Sequence, residues 1–431
     1  MKVFSLISEL NQLGKLNKYK NVVYSLSDQI FSIGAVFMIN MVLARTETEA
    51  DYGMFVLVYS LFTITSGFHN ALIIEPYTVF ASGRYKDIFL PYLQYILRIN
   101  LVVGLFLSLC LLMITAIIWL WFSDFYSSML LALSAGILFV VSGALFKRVF
   151  YVQHDSFSAG VISTLYFISI LVGVLYLVEA NILSGMASFI LLSIGWVIVS
   201  PIFFRKYSVR KYNGEFIKAY PDYWSKHWRY SRWVLATAVV YPLITQGYYW
   251  ITAGMLSVES VAQLKAVQNI VLPINLFFIS ISLLALPRMS LVYQNELLDG
   301  LLPLLKKLLF VLVGSAVVFM FSIWLVGREL LSLIYDDKYN ASFELLYIIS
   351  LVPIFFAIGN AFNDALKAME KPDWVFKAYV IGGVVTLLVG IPLVEVYGLV
   401  GAAWGMVVSA AAYGLVLCGG FFALYLRVGK I

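Results

Sequence analysis

The stretch LVVGLFLSLCLLMITAIIWLW, residues 101–121, contains no charged side chain. An α-helix rises about 1.5 Å per residue, so a helix of this length crosses the roughly 30 Å hydrocarbon core of a bilayer. The whole chain shares this character: 62% of its 431 residues are hydrophobic and 12% are charged, whereas soluble domains have about 25% charged residues. The composition predicts a polytopic membrane protein. It excludes a cytosolic enzyme, a secreted disulfide-rich protein and a nucleic-acid-binding protein.

Hydropathy predicts twelve spans, and we expect helices because the runs exceed twenty residues and lack the alternation of a transmembrane β-barrel. Spans 1 to 12 are predicted at 22–44, 53–79, 93–121, 128–150, 157–178, 182–204, 231–255, 262–287, 303–326, 343–366, 374–394 and 399–425. Residues 1–21 ahead of them carry apolar side chains on one side, which predicts an amphipathic cytoplasmic lead. The predicted fold class is an all-α polytopic membrane protein.

The basic residues orient these spans. When the spans alternate in direction, 25 of the 29 Lys and Arg residues fall on one side of the membrane. The other side keeps only Arg45, Lys265, Arg328 and Lys338. Cytoplasmic loops are enriched in Lys and Arg, so both termini are predicted to lie in the cytoplasm. The net charge of +6 is thereby explained by topology, without a nucleic-acid partner.

Two segments repeat at an offset of 216 residues. EANILSGMA at 179–187 and EVYGLVGAA at 395–403 are identical at four of nine positions, and each segment opens a span. A parallel repeat is typical of transporters built from two similar helical bundles. We therefore predict an N-lobe of spans 1–6 at 22–204, a basic cytoplasmic linker at 205–230 and a C-lobe of spans 7–12 at 231–431. A central cavity is expected between the lobes.

The sequence carries no motif of a known enzyme chemistry. It contains no GxxxxGK[ST] phosphate loop, no HExxH and no GxSxG, and its predicted loops are too short for an extramembrane catalytic domain. The two cysteines lie in apolar runs and the three histidines are far apart in sequence, so no disulfide framework or metal site is expected. The chain is predicted to be a transporter without cofactor or metal, and not an enzyme.

Several longer segments resemble one group of membrane proteins. They are LSDQIFSIGAVFMINMVLAR at 26–45, GFHNALIIEPYTVF at 67–80, LIYDDKYNASFELLYIISLVPIFFAIGN at 333–360 and GIPLVEVYGLVGAAWG at 390–405. In these segments the chain resembles polysaccharide-biosynthesis membrane proteins, the O-antigen-type flippases of the multidrug/oligosaccharidyl-lipid/polysaccharide (MOP) exporter superfamily. The resemblance covers essentially the whole chain, and its motifs are diffuse and hydrophobic.

The resemblance implies a fold like that of the multidrug (MATE) exporters, with two six-helix lobes around a central cavity. It also implies that the protein moves an undecaprenyl-pyrophosphate-linked oligosaccharide across the inner membrane by alternating access. The implied partners are this lipid-linked substrate, membrane lipids and a polysaccharide polymerase or other assembly proteins. A cation-coupled multidrug exporter of the same superfamily is the alternative. A polymerase or ligase would need a large periplasmic loop, and a scaffold role in an assembly complex stays open.

Five polar residues in or near the spans are candidates for ion coupling, because an ionisable side chain in hydrocarbon costs at least about 2.5–3.5 kcal/mol. They are Asp28, Gln29, His69, Glu75 and Asp364. Asp28 and Gln29 share a helical stripe with Ser25 and Ser32, so Asp28 is either a cavity carboxylate or an interfacial cap. Glu75 precedes Pro76, and this proline breaks or kinks the helix and frees backbone carbonyls near Leu72. Glu75 is therefore either part of the kink or an interfacial residue. His69 is more typical of a packing residue.

A pyrophosphate-bearing substrate requires cations. The candidates for substrate binding are Lys265, Arg98, Arg148, Gln268, Asn269 and Asn360. Lys265 lies about one turn into span 8 on the side with few cations, so it either lines the cavity or extends to the periplasmic surface. Arg98 and Arg148 are equally well explained as topological anchors. The repeat pairs Arg148 with Asp364, which suggests a cytoplasmic gate; a local Asp364–Lys367 ion pair is the other interpretation.

Overall fold

The computed structural model describes residues 24, 27–82, 85–121, 124–207, 216 and 220–428. The predicted amphipathic lead, Ser25 and most of the basic linker lie outside these ranges. Within them all regular secondary structure is helical. Because lipid offers no hydrogen bonds to the backbone, helices satisfy each peptide group internally. The predicted all-α class is confirmed.

Nine helices in the described ranges are long and apolar enough to cross a membrane. They are Ser27–Thr46, Glu49–Ser82, Lys86–Leu120, Ser128–Val152, Ser156–Glu179, Gly185–Lys206, Val258–Tyr335, Asn340–Ala368 and Pro372–Leu426. The first six correspond to spans 1–6, and the last three contain spans 8 and 9, span 10, and spans 11 and 12. Span 7 lies within the helices Tyr223–Thr245 and Gly247–Met255, and the first of these helices begins eight residues before the predicted span.

The two longest helical runs each turn at one residue with a non-helical backbone. Leu297 (φ 53°, ψ −135°) separates spans 8 and 9, and Gly398 (φ 59°, ψ −134°) separates spans 11 and 12. Glycine adopts a positive φ without a Cβ clash, so Gly398 suits this turn. Two further irregularities are π-helical turns, Asn70–Ile74 in span 2 and Thr386–Gly390 in span 11. Such turns release backbone groups from the regular hydrogen-bond pattern.

Short polar side chains cap the N-terminal ends of several helices. Asp155, Ser184 and Ser257 each accept a hydrogen bond from the backbone N–H three residues later, at 3.1–3.2 Å. These caps satisfy N–H groups that the first helical turn leaves without a partner. The N-terminal ends of the helices of spans 5, 6 and 8 are therefore defined by capping residues that lie just ahead of each apolar run.

The helices pack into two compact units. The first is Met1–Asn40 with Thr65–Leu235, and the second is Met41–Ile64 with Ala236–Ile431. In the first unit, span 4 packs against spans 3 and 6, and span 5 packs against span 6. In the second unit, span 10 packs against the Val258–Tyr335 helix and against span 12.

This division differs from the predicted lobe boundaries, which keep 41–64 in the N-lobe. Hydrogen bonds inside the second unit explain the difference. Asn269 donates to the Tyr52 hydroxyl at 2.9 Å, Gln263 donates to Glu49 at 3.0 Å, and Lys338 donates to the Ala44 carbonyl at 2.9 Å. The division into lobes at 204 and 231 stays a prediction.

Candidate functional site

A buried carboxylate on span 1 is the centre of a polar cluster in the first unit. Asp28 is 0% exposed. Its Oδ1 lies 2.7 Å from the Nζ of Lys147 on span 4 and accepts a hydrogen bond from Ser163 on span 5. Its Oδ2 accepts from the Tyr151 hydroxyl at 2.5 Å. Two other helices, spans 4 and 5, thus contribute a cation and two hydroxyl donors to one carboxylate.

Ser32 completes this cluster. Lys147 donates to the Ser32 hydroxyl at 2.6 Å, and that hydroxyl lies 3.0 Å from Ser163 and 3.3 Å from Asp28. The ammonium balances the carboxylate charge, and hydroxyls occupy the remaining hydrogen-bonding positions, which is what burial of an ion pair requires. We call Asp28, Ser32, Lys147, Tyr151 and Ser163 the Asp28 cluster.

The spacing on each helix brings these side chains to one place. Asp28 and Ser32 are four residues apart on span 1, and Lys147 and Tyr151 are four apart on span 4, so each pair shares a helix face. Sequence reasoning singled out Asp28 but counted Lys147 only as a topological charge. The pattern that could have identified Lys147 is a lysine and a tyrosine four residues apart, Lys147 and Tyr151, near the end of a largely apolar helix. Gln29 is half-buried and is not part of the cluster.

His69 belongs to a different polar group. Its Nε2 lies 2.7 Å from the Oδ1 of Asn100, and the Asn100 amide donates to Ser142 at 2.8 Å. His69 and Asn100 are buried. The chain of bonds links spans 2, 3 and 4 directly ahead of the π-helical turn at Asn70–Ile74. This arrangement agrees with the packing role considered for His69.

The helix of span 2 is locally rearranged at Pro76. Proline has no N–H, so the carbonyl of Leu72, four residues earlier, has no regular helical partner. His227 Nε2 lies 2.6 Å from this carbonyl, and His227 Nδ1 lies 2.5 Å from the Tyr223 hydroxyl. A carbonyl only accepts, so Nε2 carries the proton and Nδ1 of the neutral ring accepts from Tyr223.

His227 is not among the residues that the sequence predicts for a site, although freed carbonyls near Leu72 are expected. The contact also explains why the helix that contains span 7 begins ahead of the predicted span, because Tyr223 and His227 are buried within the first unit. Glu75 is half-buried, and the Tyr230 hydroxyl lies 3.4 Å from its carboxylate. Glu75 thus has a partner on the same helix as His227.

In the second unit Lys265 lies near two tyrosine rings. Its Nζ is 6.0 Å from the ring centre of Tyr59 and 5.6 Å from that of Tyr249, distances at which a cation is attracted to an aromatic face. Among the described residues, no carboxylate forms a salt bridge with Lys265. The Tyr249 hydroxyl donates to Gln268, whose amide lies 3.0 Å from the sulfur of Met406. The structure therefore brings Lys265 and Gln268 to the same tyrosine.

Asn269 faces another neighbour. It is buried and donates to Tyr52, so it has a structural partner in place. Asn360 is half-buried on span 10. Asp364, one turn further along, is buried, and its Oδ2 has no hydrogen-bond partner among the described residues. The helical ion pair with Lys367 is not formed within 4.0 Å in this part of the chain.

The two arginine candidates differ in burial. Arg98 is exposed on span 3, and Arg148 is half-buried beside Lys147. The roles of both residues in substrate binding stay predictions, as does the Arg148–Asp364 gate. In the part of the chain that the structure describes, no three His, Cys, Asp or Glu residues are grouped in a way that suits a metal ion.

The described residues thus form a multi-pass helical membrane protein with ionisable groups inside its spans. No protein-family model matches the chain, and no curated protein matches it in sequence. Solved structures do match its fold. A multidrug resistance MATE family transporter of the MOP superfamily, in an inward-facing conformation, matches with a TM-score of 0.70 at 12% identity, over 95% of each chain.

Two other solved structures match equally well. The lipid II flippase MurJ, in an inward closed conformation, has a TM-score of 0.68 and 17% identity, over 95% of this chain and 87% of that one. A MOP superfamily transporter from Pyrococcus furiosus, for which a reverse polarity of the binding pocket suggests a different function, has a TM-score of 0.69 and 10% identity, over 95% and 96%. The chain therefore has the fold of these transporters, which confirms the predicted MATE-like fold. Membership of the superfamily stays a prediction.

Proposed function

We propose that this protein is a flippase that moves an undecaprenyl-pyrophosphate-linked oligosaccharide across the inner membrane by alternating access, for polysaccharide biosynthesis. The observation that supports this proposal best is the position of Lys265 near Tyr59 and Tyr249, with no carboxylate in a salt bridge to it among the described residues. An ammonium in a membrane span is costly unless a partner or water stabilises it. A phosphate-bearing head group is a partner of the required charge.

The chemistry of this patch favours an anion over a cationic drug. Lys265 presents three N–H donors to a phosphate oxygen, and the side chains of Gln268 and Tyr249 add polar groups beside it. A cationic drug would be repelled by the ammonium. The aromatic rings that flank it offer apolar surface to a sugar or to the isoprenoid chain.

Asp28 is the group that we assign to coupling. The ammonium of Lys147 lies 2.7 Å from Asp28, where a coupling metal cation would otherwise bind. This favours proton exchange over sodium binding, because protonation of Asp28 removes the charge that holds Lys147. Lys147 then loses its ion pair and keeps its hydrogen bond to the Ser32 hydroxyl. The two states of this pair would bias the first unit between two arrangements.

Reconstitution in vesicles tests this function. Fluorescently labelled lipid-linked oligosaccharide is added, and the accessibility of the label to an impermeant quencher is followed under a pH gradient or a sodium gradient. We expect translocation with the wild type, a strong loss with Lys265→Ala, and little change with the matched control Lys371→Ala, which removes an exposed lysine. Equal rates in protein-free and loaded vesicles would contradict the flippase proposal. A response to sodium alone would contradict proton exchange at Asp28.

A cation-coupled multidrug exporter is the second candidate. Asp364 favours it, because this buried carboxylate keeps one oxygen without a hydrogen-bond partner among the described residues. Such an oxygen suits a cation or a proton. Export of a cationic dye that is lost with Asp364→Asn and unaffected by Lys265→Ala would favour this candidate over the flippase.

A further inference from the structure

A groove of about 300 Å³ lies between the end of span 8 and the beginning of span 9, in the second unit. It is lined by Ile281, Ala285, Arg288, Met289, Leu304, Lys307, Leu308 and Val311. On span 8 the lining residues recur at intervals of three and four, and on span 9 they do the same, so each helix contributes one continuous face. Six of the eight lining residues are apolar, and the other two are cations.

The two cations stand on opposite walls of this groove. Arg288 comes from span 8 and Lys307 from span 9, and both are exposed. In the described part of the chain, neither forms a salt bridge with a carboxylate. Both lie on the predicted cytoplasmic side, where anionic lipid head groups attract basic residues. Their charge is therefore available to a ligand that approaches from outside the protein.

Exposure of the neighbouring side chains indicates what this face meets. Phe310, three residues after Lys307 and inside predicted span 9, is 80% exposed. Large apolar side chains exposed on a membrane-spanning helix suit contact with acyl chains. The groove thus combines an apolar lining that suits a hydrocarbon chain with two cations that suit a phosphate. The cations lie towards the predicted cytoplasmic surface, where the head group of a phospholipid would be.

We propose that this groove is a binding site for an anionic phospholipid of the cytoplasmic leaflet. Arg288 and Lys307 hold the phosphate from both sides, and one acyl chain lies along Ala285, Leu308 and Val311, which are deeper in the membrane than the two cations. The guanidinium can donate two parallel hydrogen bonds to phosphate oxygens, and the ammonium adds a point charge. This site is separate from the Asp28 cluster and from Lys265, and it does not depend on the transported substrate.

The chain offers a matched control for the test. Lys306 is the immediate neighbour of Lys307, is also exposed and carries the same charge, but it does not line the groove. The full-length protein is purified in detergent and titrated with palmitoyl-oleoyl phosphatidylglycerol or with the matching phosphatidylcholine, and bound lipid is counted by native mass spectrometry. Wild type, Lys307→Ala, Lys306→Ala and Arg288→Ala/Lys307→Ala are compared.

We expect the wild type to retain phosphatidylglycerol in preference to phosphatidylcholine. Each charge removed from the groove should weaken phosphatidylglycerol binding about fivefold, whereas Lys306→Ala should change it less than about twofold. A second variant, Ala285→Trp, fills the apolar part of the groove and should reduce retention while both cations remain. Equal retention of the two lipids, or equal effects of Lys306→Ala and Lys307→Ala, would overturn the proposal. Preferential retention of a polyprenyl phosphate over phosphatidylglycerol would also overturn it.

Discussion

Lys147 Nζ lies 2.7 Å from the Oδ1 of Asp28, in a position where the carboxylate is completely buried. Burial of one such charge without the other is strongly unfavourable, whereas the pair with its hydroxyl donors is tolerated. Each of the two buried charges is therefore stabilised by the other. The free energy of unfolding and the proposed proton coupling should consequently depend on Asp28 and Lys147 together, so the effects of changing the two residues should not be additive.

The first prediction is a non-additive effect of removing the pair. Lys147→Ala should destabilise the protein by about 3–5 kcal/mol, because Asp28 is left buried without its counter-ion. Asp28→Asn with Lys147→Ala should be more stable than Lys147→Ala alone, since no uncompensated charge remains. Thermal unfolding in detergent measures all three variants and completes a double-mutant cycle with Asp28→Asn. Additive effects within about 0.5 kcal/mol would contradict the coupling.

The second prediction concerns His227 and pH. Burial lowers the pKa of His227 below its usual 6.5, and the bond from Nε2 to the Leu72 carbonyl opposes this only in part. His227 lies four residues ahead of the predicted span 7. Below about pH 6.5 the unfolded chain binds a proton at this position more readily than the folded protein does, so stability falls as the pH falls. Well above that pH both states are neutral and the effect disappears.

His227→Gln provides the comparison, because glutamine still offers an N–H to the Leu72 carbonyl but does not titrate. We expect the melting temperature of the wild type to drop more between about pH 7.5 and about pH 5.5 than that of His227→Gln. Glu75 and Tyr230, whose side chains lie 3.4 Å apart, are unchanged in the variant, so any titration of Glu75 is common to both proteins. Parallel pH profiles for the two proteins would show that His227 does not sense this range.

The third prediction is a charge series at Lys265. Lys265→Arg should keep substantial flippase activity, because a guanidinium also binds phosphate. Lys265→Gln should reduce the initial rate about tenfold or more, since a charge-assisted hydrogen bond is lost, and Lys265→Glu should abolish it by repulsion. Tyr249→Phe keeps the ring beside Lys265 and removes only the hydroxyl that bonds Gln268, so it should have a smaller effect. Equal activity of the Gln and Glu variants would contradict a phosphate-binding role.

The sequence is sufficient to predict the helical class and most of the span boundaries to within several residues, because a run of apolar side chains is a direct consequence of the bilayer. It also singles out Asp28 and Lys265, since a charge in such a run is costly. It cannot predict their partners. Lys147, Tyr151 and Ser163 reach Asp28 from other helices, and such contacts depend on the rotation and packing of each helix. Hydropathy carries no information about either.

In span 2, too, the sequence indicates a polar group that needs a partner but does not identify that partner. Pro76 indicates that a carbonyl loses its helical partner, and residue spacing alone places that carbonyl at Leu72. The residue that bonds to it, His227, lies 155 positions away. Hydropathy places the start of span 7 at 231, because the charged residues just before it lower the hydropathy. The helix nevertheless begins at Tyr223, since aromatic contacts with Tyr85, Tyr92 and Tyr95 stabilise its first turn.

The last prediction tests the hypothesis of a cytoplasmic gate between Arg148 and Asp364, which the repeat offset of 216 pairs. Arg148→Asp and Asp364→Arg should each abolish transport, because each places two like charges at the gate when it closes. The double swap restores opposite charges and should recover part of the activity. Vesicle transport with all four proteins measures this, and Arg205→Asp, at an exposed arginine on the predicted cytoplasmic side, serves as the control for loss of a cytoplasmic arginine. If the double swap is as inactive as either single variant, the two residues do not act as a pair. In that case Asp364 keeps only its role as a buried carboxylate of the second unit.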